Sequence, residues 1–228
     1  MNILIVPARS GSKRIKNKNI IEFNDKPLLV NSLIIGNKTR LFDIIHLSTD
    51  SEEYAKIARK FGFKTLFLRD KRFAKDQTPV LDAVKSDLLN FKKLGYSFKD
   101  VCVLSSTSPF INKYDILNVS KIYKKSDKKS PIISVAKYHT KIERAMKIKN
   151  GKLKFINKEH IYKQTQKFSE SYYPTGNIFY FDALKLLTSK SYNYKYKPYM
   201  IDNLRAIDID DKEDLNLAKK ISKILWKT

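Results

Sequence analysis

Strand-length apolar runs alternate with helix-length stretches along the first 136 residues, and most of these runs end in a polar cluster. Ile3–Val6, Asp43–Thr49, Thr65–Leu68, Val101–Leu104 and Pro131–Ala136 read as strands, rich in β-branched and aliphatic residues. Between them, Leu28 to about Asn37, a stretch capped by Asp50 or Ser51, a stretch beginning at Pro79 behind a Thr78 cap, and Asp115–Lys125 read as helices. Such alternation predicts a mostly parallel sheet covered on both faces, a three-layer α/β architecture. Ligands of such sheets bind beyond the C-terminal strand ends. The clusters Arg9–Lys13, Asp50, Arg69 and Thr107–Ser108 all follow strands, so the topology gathers them on one edge.

The first cluster carries the most chemistry. Pro7 ends the strand ladder, because proline has no N–H to donate. Ala8, Arg9, Ser10, Gly11, Ser12 and Lys13 follow. Small residues let the backbone approach a ligand closely, and turn amides attract anions. Arg9 and Lys13 add positive charge, so the stretch reads as a polyphosphate cradle, with an ordinary strand-to-loop turn as the plainer alternative. It matches neither the P-loop nor the dinucleotide glycine pattern.

Near the other end, Arg205–Ile209 reads as a strand leading into an acidic helix start, and the helix runs to about Leu225. In a strand, Asp208 and Asp210 share a face. Two adjacent carboxylates repel unless a cation lies between them, and carboxylates with phosphate oxygens are a usual Mg²⁺ environment. Capping of the last helix by Asp210 or Asp211 is the alternative, and both hold together if Asp211 is the cap. Arg69 with Thr107 is a candidate polyphosphate clamp. His46, His139 and His160 have no spacing that suggests a metal site or a triad.

From His139 to Pro174 the rhythm changes. Asn150-Gly151 is a hairpin turn between Ala145–Ile148 and Leu153–Ile156. Residues 139–175 therefore read as an excursion within a single domain covering 1–228. The strand Gly176–Phe181 and a helix from Ala183 to Leu187 follow.

The formal charge of +23 raises nucleic acid as a partner. However, only 8 of the 46 basic residues are Arg, and the lysines run along nearly the whole chain. This pattern argues against a binding stripe, although such a field still draws in anionic substrates. No stretch has membrane-spanning length and no leader is evident. Cys102, the one cysteine, lies in an apolar run. The expectation is a cytoplasmic protein that binds neither membrane nor nucleic acid.

Pro7–Arg14 with Lys18-Asn19-Ile20 resembles the opening motif of the CMP-sialic acid synthetases, the acylneuraminate cytidylyltransferases. The resemblance continues through Lys26-Pro27-Leu28, Leu41-Phe42-Asp43, Ser48–Glu53, Phe67-Leu68-Arg69, Thr107-Ser108-Pro109 and Asp208-Ile209-Asp210. It implies a Rossmann-like sheet of the nucleotide-diphospho-sugar transferase type with a small inserted dimerisation arm at 139–175, and hence a homodimer. It also implies CTP and a nine-carbon nonulosonic acid as substrates, with Mg²⁺, giving a CMP-sugar and pyrophosphate for surface glycan or glycoprotein synthesis. Arg9, Ser12 and Lys13 would hold the triphosphate, with Ala8, Ser10 and Gly11 around it. Asn19, Arg69 and Thr107 would complete the CTP site. Asp208 and Asp210 would bind the metal and, with Arg9 and Lys13, carry the catalysis.

Several positions depart from the sialate pattern. Ser105 stands where that branch has Gln, a sugar contact, and Val80 stands in place of a usual Ser/Thr. Pro109-Phe110, Arg144-Ala145-Met146 and Gln166 look more like the pseudaminic acid branch, although Gln164 replaces the basic residue that branch often carries. Ser105, Arg144, Gln166, Asn177 and Phe179 are the candidate sugar contacts. Pseudaminic acid is thus placed ahead of legionaminic and N-acetylneuraminic acid. A nucleotide-sugar enzyme using UTP or dTTP is the rival within the class. A basic nucleic-acid-binding protein on a degenerate enzyme fold is the rival outside it.

Overall fold

The computed structural model describes residues 1–126 and 130–225; of the expected 1–228 domain, residues 127–129 and 226–228 lie outside the described residues. The six-stranded sheet contains β1 (Asn2–Pro7), β2 (Ile44–Ser48), β3 (Asp100–Leu104), β4 (Ile132–Lys137), β7 (Tyr172–Asp182) and β8 (Lys197–Met200). Its order is β8-β4-β7-β3-β1-β2. β1 is parallel to both β2 and β3, β8 is parallel to β4, and β7 runs antiparallel between β3 and β4. Strands β5 (Met146–Lys149) and β6 (Lys152–Phe155) form a separate antiparallel hairpin.

β1 illustrates why the sheet is covered on both sides. Leu4 and Val6 point into one core, with Leu29 and Leu33 of α1 (Leu28–Lys38), Ala58 of α2 (Glu52–Lys60) and Val119 of α4 (Lys113–Lys125). Ile3 and Ile5 point into the other, with Leu81, Val84 and Phe91 of α3 (Val80–Lys93) and Leu186 of α5 (Ala183–Thr188). All four strand residues are fully buried, and burial of such a side chain contributes about 1.5–3 kcal/mol. A third apolar cluster seats α6 (Lys212–Leu225) through Ala218 and Ile221 against Ile15, Phe23 and Phe110.

Several expectations are corrected. Thr65–Leu68 forms no strand: Phe67 packs inward as the alternation requires, but the recorded backbone tie is a single bond from Arg69 N to Thr49 O (2.7 Å). Arg205–Ile209 likewise forms no strand: Arg205 closes a turn, its N donating to Asp202 O (2.9 Å), and Ile209 N donates to Thr107 O (2.9 Å). In both stretches hydrophobic alternation specified a face but not a hydrogen-bonding partner. Thr78 does not cap α3; its hydroxyl lies 3.5 Å from Arg72 O, and Pro79 precedes the helix without a side-chain cap. α4 starts two residues earlier than expected, at Lys113, because Asn112 and Asp115 form a reciprocal capping box. β8, for which the sequence reading named no element, is an edge strand, where Pro198 is tolerated.

The Asn150-Gly151 turn forms as expected, with φ of 53° and 72°, the left-handed pair of a tight hairpin. Among the described residues, no helix is long and apolar enough to cross a membrane.

Candidate active site

The C-terminal ends of β1, β2 and β3 meet the early part of β7 on one edge of the sheet. There the structure holds a cavity of about 370 Å³ lined by Arg9, Ser12, Lys13, Lys18, Asn19, Arg69, Ser105, Thr107, Phe179, Asp208 and Asp210. Arg14, Phe73, Lys75, Thr78, Val80 and Gly176 line it as well. Because β7 is antiparallel, its early residues lie beside the end of β3, and Ser105 N donates to Asn177 O (2.9 Å).

The cradle loop is tied down on both sides. Asp50, just past β2, accepts from Ser10 N (2.9 Å) and Ser10 Oγ (2.8 Å). Ala8 is buried, and its amide donates to Ser48 O (2.9 Å). Asn19 Nδ2 donates to Arg9 O (2.8 Å), while Asn19 Oδ1 accepts from Ser106 Oγ (2.7 Å). Gly11 O accepts from Arg9 Nη1 (3.3 Å). Ala8, Ser10 and Gly11 thus shape the loop without lining the cavity, and Arg9, Ser12 and Lys13 face it.

Asp76, which the sequence did not single out, ion-pairs with both cradle cations: with Arg9, and with Lys13 at 2.6 Å. Its signal was absent locally, since it sits in a polar loop and meets Arg9 only through the fold. Lys13, then Arg9, hold its carboxyl below the usual carboxylate range.

Arg69 is buried at the floor. Its Nε donates to Ser48 Oγ (2.9 Å) and its Nη2 to Ser48 O (2.7 Å). Burial lowers its pKa, against the opposing pull of Asp87 and Asp50. Beneath it, His46 lies between the rings of Phe67 and Phe91, with neither ring nitrogen hydrogen-bonded, and 4.0 Å from Asp87. Burial pushes His46 down to about 3 and Asp87 up to about 6.

These two groups oppose each other in the pH dependence of stability. Asp87 has a folded pKa above its unfolded value, so its contribution is complete below about 4 and lost as pH rises through about 6. His46 has a folded pKa below its unfolded value, so its contribution is complete above about 6.5 and lost as pH falls through about 3. Between pH 6 and 4 the two slopes cancel, each about 1.4 kcal/mol per pH unit. Relative to wild type, Asp87→Asn should therefore lose stability as pH falls through this window, and His46→Phe should gain it. Urea unfolding at a series of pH values checks both signs; parallel curves for all three proteins would refute the assignment.

The paired carboxylates are held differently. Asp208 is half-buried, and its Oδ1 accepts from Thr107 Oγ1 and from Ser105 Oγ (3.2 Å). Burial raises its carboxyl, against Thr107 and Lys18, which favour the ionised form. Gly176, at φ +72°, packs beside Oδ2: a Cβ there would stand 3.9 Å away, in ordinary van der Waals contact. Asp210 pairs with Lys18 (2.8 Å) and Arg14 (2.9 Å). Burial pushes it up, but those two cations hold it below its ordinary value. The capping alternative is realised one residue on: Asp211 Oδ1 accepts from Asp214 N (2.9 Å) and Asp214 Oδ2 from Asp211 N (3.1 Å). Asp211 caps α6, so Asp208 and Asp210 remain available to the cavity. Lys18 belongs to the site too; its signal was its place directly before Asn19.

The sugar candidates divide. Ser105 and Phe179 line the cavity, whereas Asn177 is fully buried beneath it and donates through Nδ2 to Ser108 Oγ (2.6 Å). Phe110 is also core, edge-on to Phe23 at 6.0 Å. Arg144 and Gln166 lie in the excursion between β4 and β7. There Arg144 Nη1 donates to His160 O (3.1 Å) and Ile161 O (2.5 Å).

Comparison with known proteins agrees with this geometry. A family described as cytidylyltransferase matches residues 3–226. The chain is 30% identical over 226 residues to a pseudaminic acid cytidylyltransferase of Campylobacter jejuni subsp. jejuni, covering 98% of this chain and 97% of the relative. It is 28% identical to a CMP-N,N'-diacetyllegionaminic acid synthase of Legionella pneumophila, covering 98% and 97% of the two chains. In fold it is similar to CMP:2-keto-3-deoxy-manno-octonic acid synthetase complexed with CTP, with a TM-score of 0.74 at 11% identity over 100% and 99% of the chains. With a cation-lined cavity at the strand ends and a family match along nearly its whole length, the chain belongs to the cytidylyltransferases and is a nucleotidyltransferase.

Proposed function

We propose that the chain transfers CMP from CTP to the anomeric hydroxyl of a nonulosonic acid, with pseudaminic acid preferred, releasing pyrophosphate. The observation that carries this reading is a single cavity lined both by Arg9, Lys13 and Arg69 and by Asp208 and Asp210. Arg9, Ser12 and Lys13 bind the triphosphate, and Arg69 and Asn19 hold the nucleoside end. The sugar enters beside Ser105 and Phe179, where its hydroxyl attacks the α-phosphorus in line with the departing pyrophosphate. The protein acts by positioning and by fixed charge.

The donor set suits Mg²⁺. Asp208 offers Oδ2, its Oδ1 being held by Thr107 and Ser105, and Asp210 brings a second oxygen donor. Two carboxylates completed by phosphate oxygens are a usual Mg²⁺ shell. When bound, the ion supplies positive charge to the phosphate oxygens. Among the described residues no third Asp, Glu, His or Cys joins the pair, which leaves the remaining ligands to substrate and water.

Pseudaminic acid is preferred on three grounds: the Campylobacter jejuni relative bears that name, Ser105 replaces the Gln of the sialate pattern, and Pro109-Phe110, Arg144-Ala145-Met146 and Gln166 resemble the pseudaminic acid branch. That excursion leaves Ile148 (75%), Leu153 (63%) and Tyr162 (96%) exposed, which supports a homodimer formed through it. Light scattering at twice the 26.6 kDa chain mass is expected; a monomer would refute the dimer. A CTP-making compartment, the cytoplasm, is the inferred setting. The nucleotide is tested by thermal shift with Mg²⁺: CTP at a hundred times its Kd should stabilise by about 2.7 kcal/mol. Equal shifts with UTP or ATP would contradict the reading.

A further inference from the structure

The two cations of the cradle are already matched to an anion of the chain itself. Asp76 lies in the loop between Arg69 and α3, and gives one carboxylate oxygen to Arg9 and the other to Lys13. No nearer element supplies this charge: Asp50 is engaged with Ser10, and Asp210 with Lys18 and Arg14. The same loop presents Phe73, Lys75 and Thr78 to the cavity, and Asp76 between them meets the lining residues Arg9 and Lys13.

We propose that Asp76 is an intramolecular competitor for the polyphosphate cradle, displaced when a triphosphate enters and returning as pyrophosphate leaves. This rests on the CTP reading above. The pair is built to be broken. Asp76 and Lys13 are 36% and 83% exposed, and ion pairs in such solvent are weak. A polyphosphate brings more charge and more acceptor oxygens than one carboxylate, so it wins the same two cations. Once the phosphoanhydride bond is broken, pyrophosphate is no longer tethered to the nucleoside. Asp76 then competes for Arg9 and Lys13 and shortens the stay of the product. Asp76 thus sets how tightly the cradle holds a polyphosphate, whether tethered or free. It makes this contribution without touching the reacting atoms.

Calorimetry with Mg²⁺ and inorganic pyrophosphate, CTP or cytidine, on wild type, Asp76→Asn and Asp76→Glu, tests this. Asp76→Asn should bind pyrophosphate and CTP about three- to tenfold tighter, the size expected for releasing two exposed ion pairs. Cytidine, which does not reach the cradle, should bind unchanged, and Asp76→Glu should stay near wild type. In turnover, pyrophosphate should inhibit Asp76→Asn at correspondingly lower concentration. Unchanged pyrophosphate binding would make the contact incidental, and weaker binding would make Asp76 a support for the cradle; either overturns the proposal. Wild type that binds CTP while Asp76→Asn fails to tighten defeats only this proposal. Wild type that binds neither CTP nor pyrophosphate defeats both readings.

Discussion

Asp208→Asn is expected to lower kcat by about a hundred- to thousandfold while leaving the melting temperature no lower than that of wild type. The two halves of this result share one cause. Asp208 is a half-buried carboxylate whose carboxyl is raised by loss of solvent, against Thr107 and Lys18. A raised acid contributes stability in its protonated form and loses it as pH rises through the folded value. The charged form is therefore the one that this site disfavours. Asparagine keeps the size and an acceptor for Thr107 and Ser105, and removes that charge. What it gives up is the negative charge that shares the cavity with Arg9, Lys13 and Arg69 and would hold a cation against the phosphates. Calorimetry with steady-state rates decides; activity within threefold of wild type would place the metal and the chemistry elsewhere.

Combined replacement of Arg9 and Lys13 by Ala should weaken CTP about a hundredfold, seen as a rise in KM, with cytidine binding unchanged. Hydrogen bonds to charged groups each contribute about 1.5–3 kcal/mol, and the high exposure of Lys13 puts its share at the low end. Ser10, Asp50 and Asn19 hold the loop through other contacts, so the fold survives. A loss of kcat with KM unchanged would instead mean that these cations act only in the transition state.

How much of this was legible in the sequence follows from what each signal depends on. The frame of the sheet was legible because Ile3–Val6 and Val101–Leu104 are apolar on both faces, and only a covered parallel strand needs that. The cradle was legible because its residues are contiguous. The Asp208 and Asp210 pair was legible from spacing, although the strand assumed for it is a loop tied through Ile209 to Thr107. Asp76 was not legible: nothing in Ala74–Thr78 distinguishes it until the loop is folded against Arg9. The buried His46 and Asp87 escaped for the same reason, since they are 41 residues apart in sequence and meet only across α3 and β2. Asn177 looked like a sugar contact by resemblance, but its side chain is buried beneath the cavity and donates to Ser108. A motif fixes which stretch approaches a ligand, while strand alternation decides which of its side chains face it.

The central claim is tested most directly by pyrophosphate release with CTP and Mg²⁺ across a panel of nonulosonic acids. The account predicts release that depends on both CTP and the acid, fastest with pseudaminic acid and slower with legionaminic and N-acetylneuraminic acid. Release supported equally by UTP, or none with any acid of the panel, would contradict it.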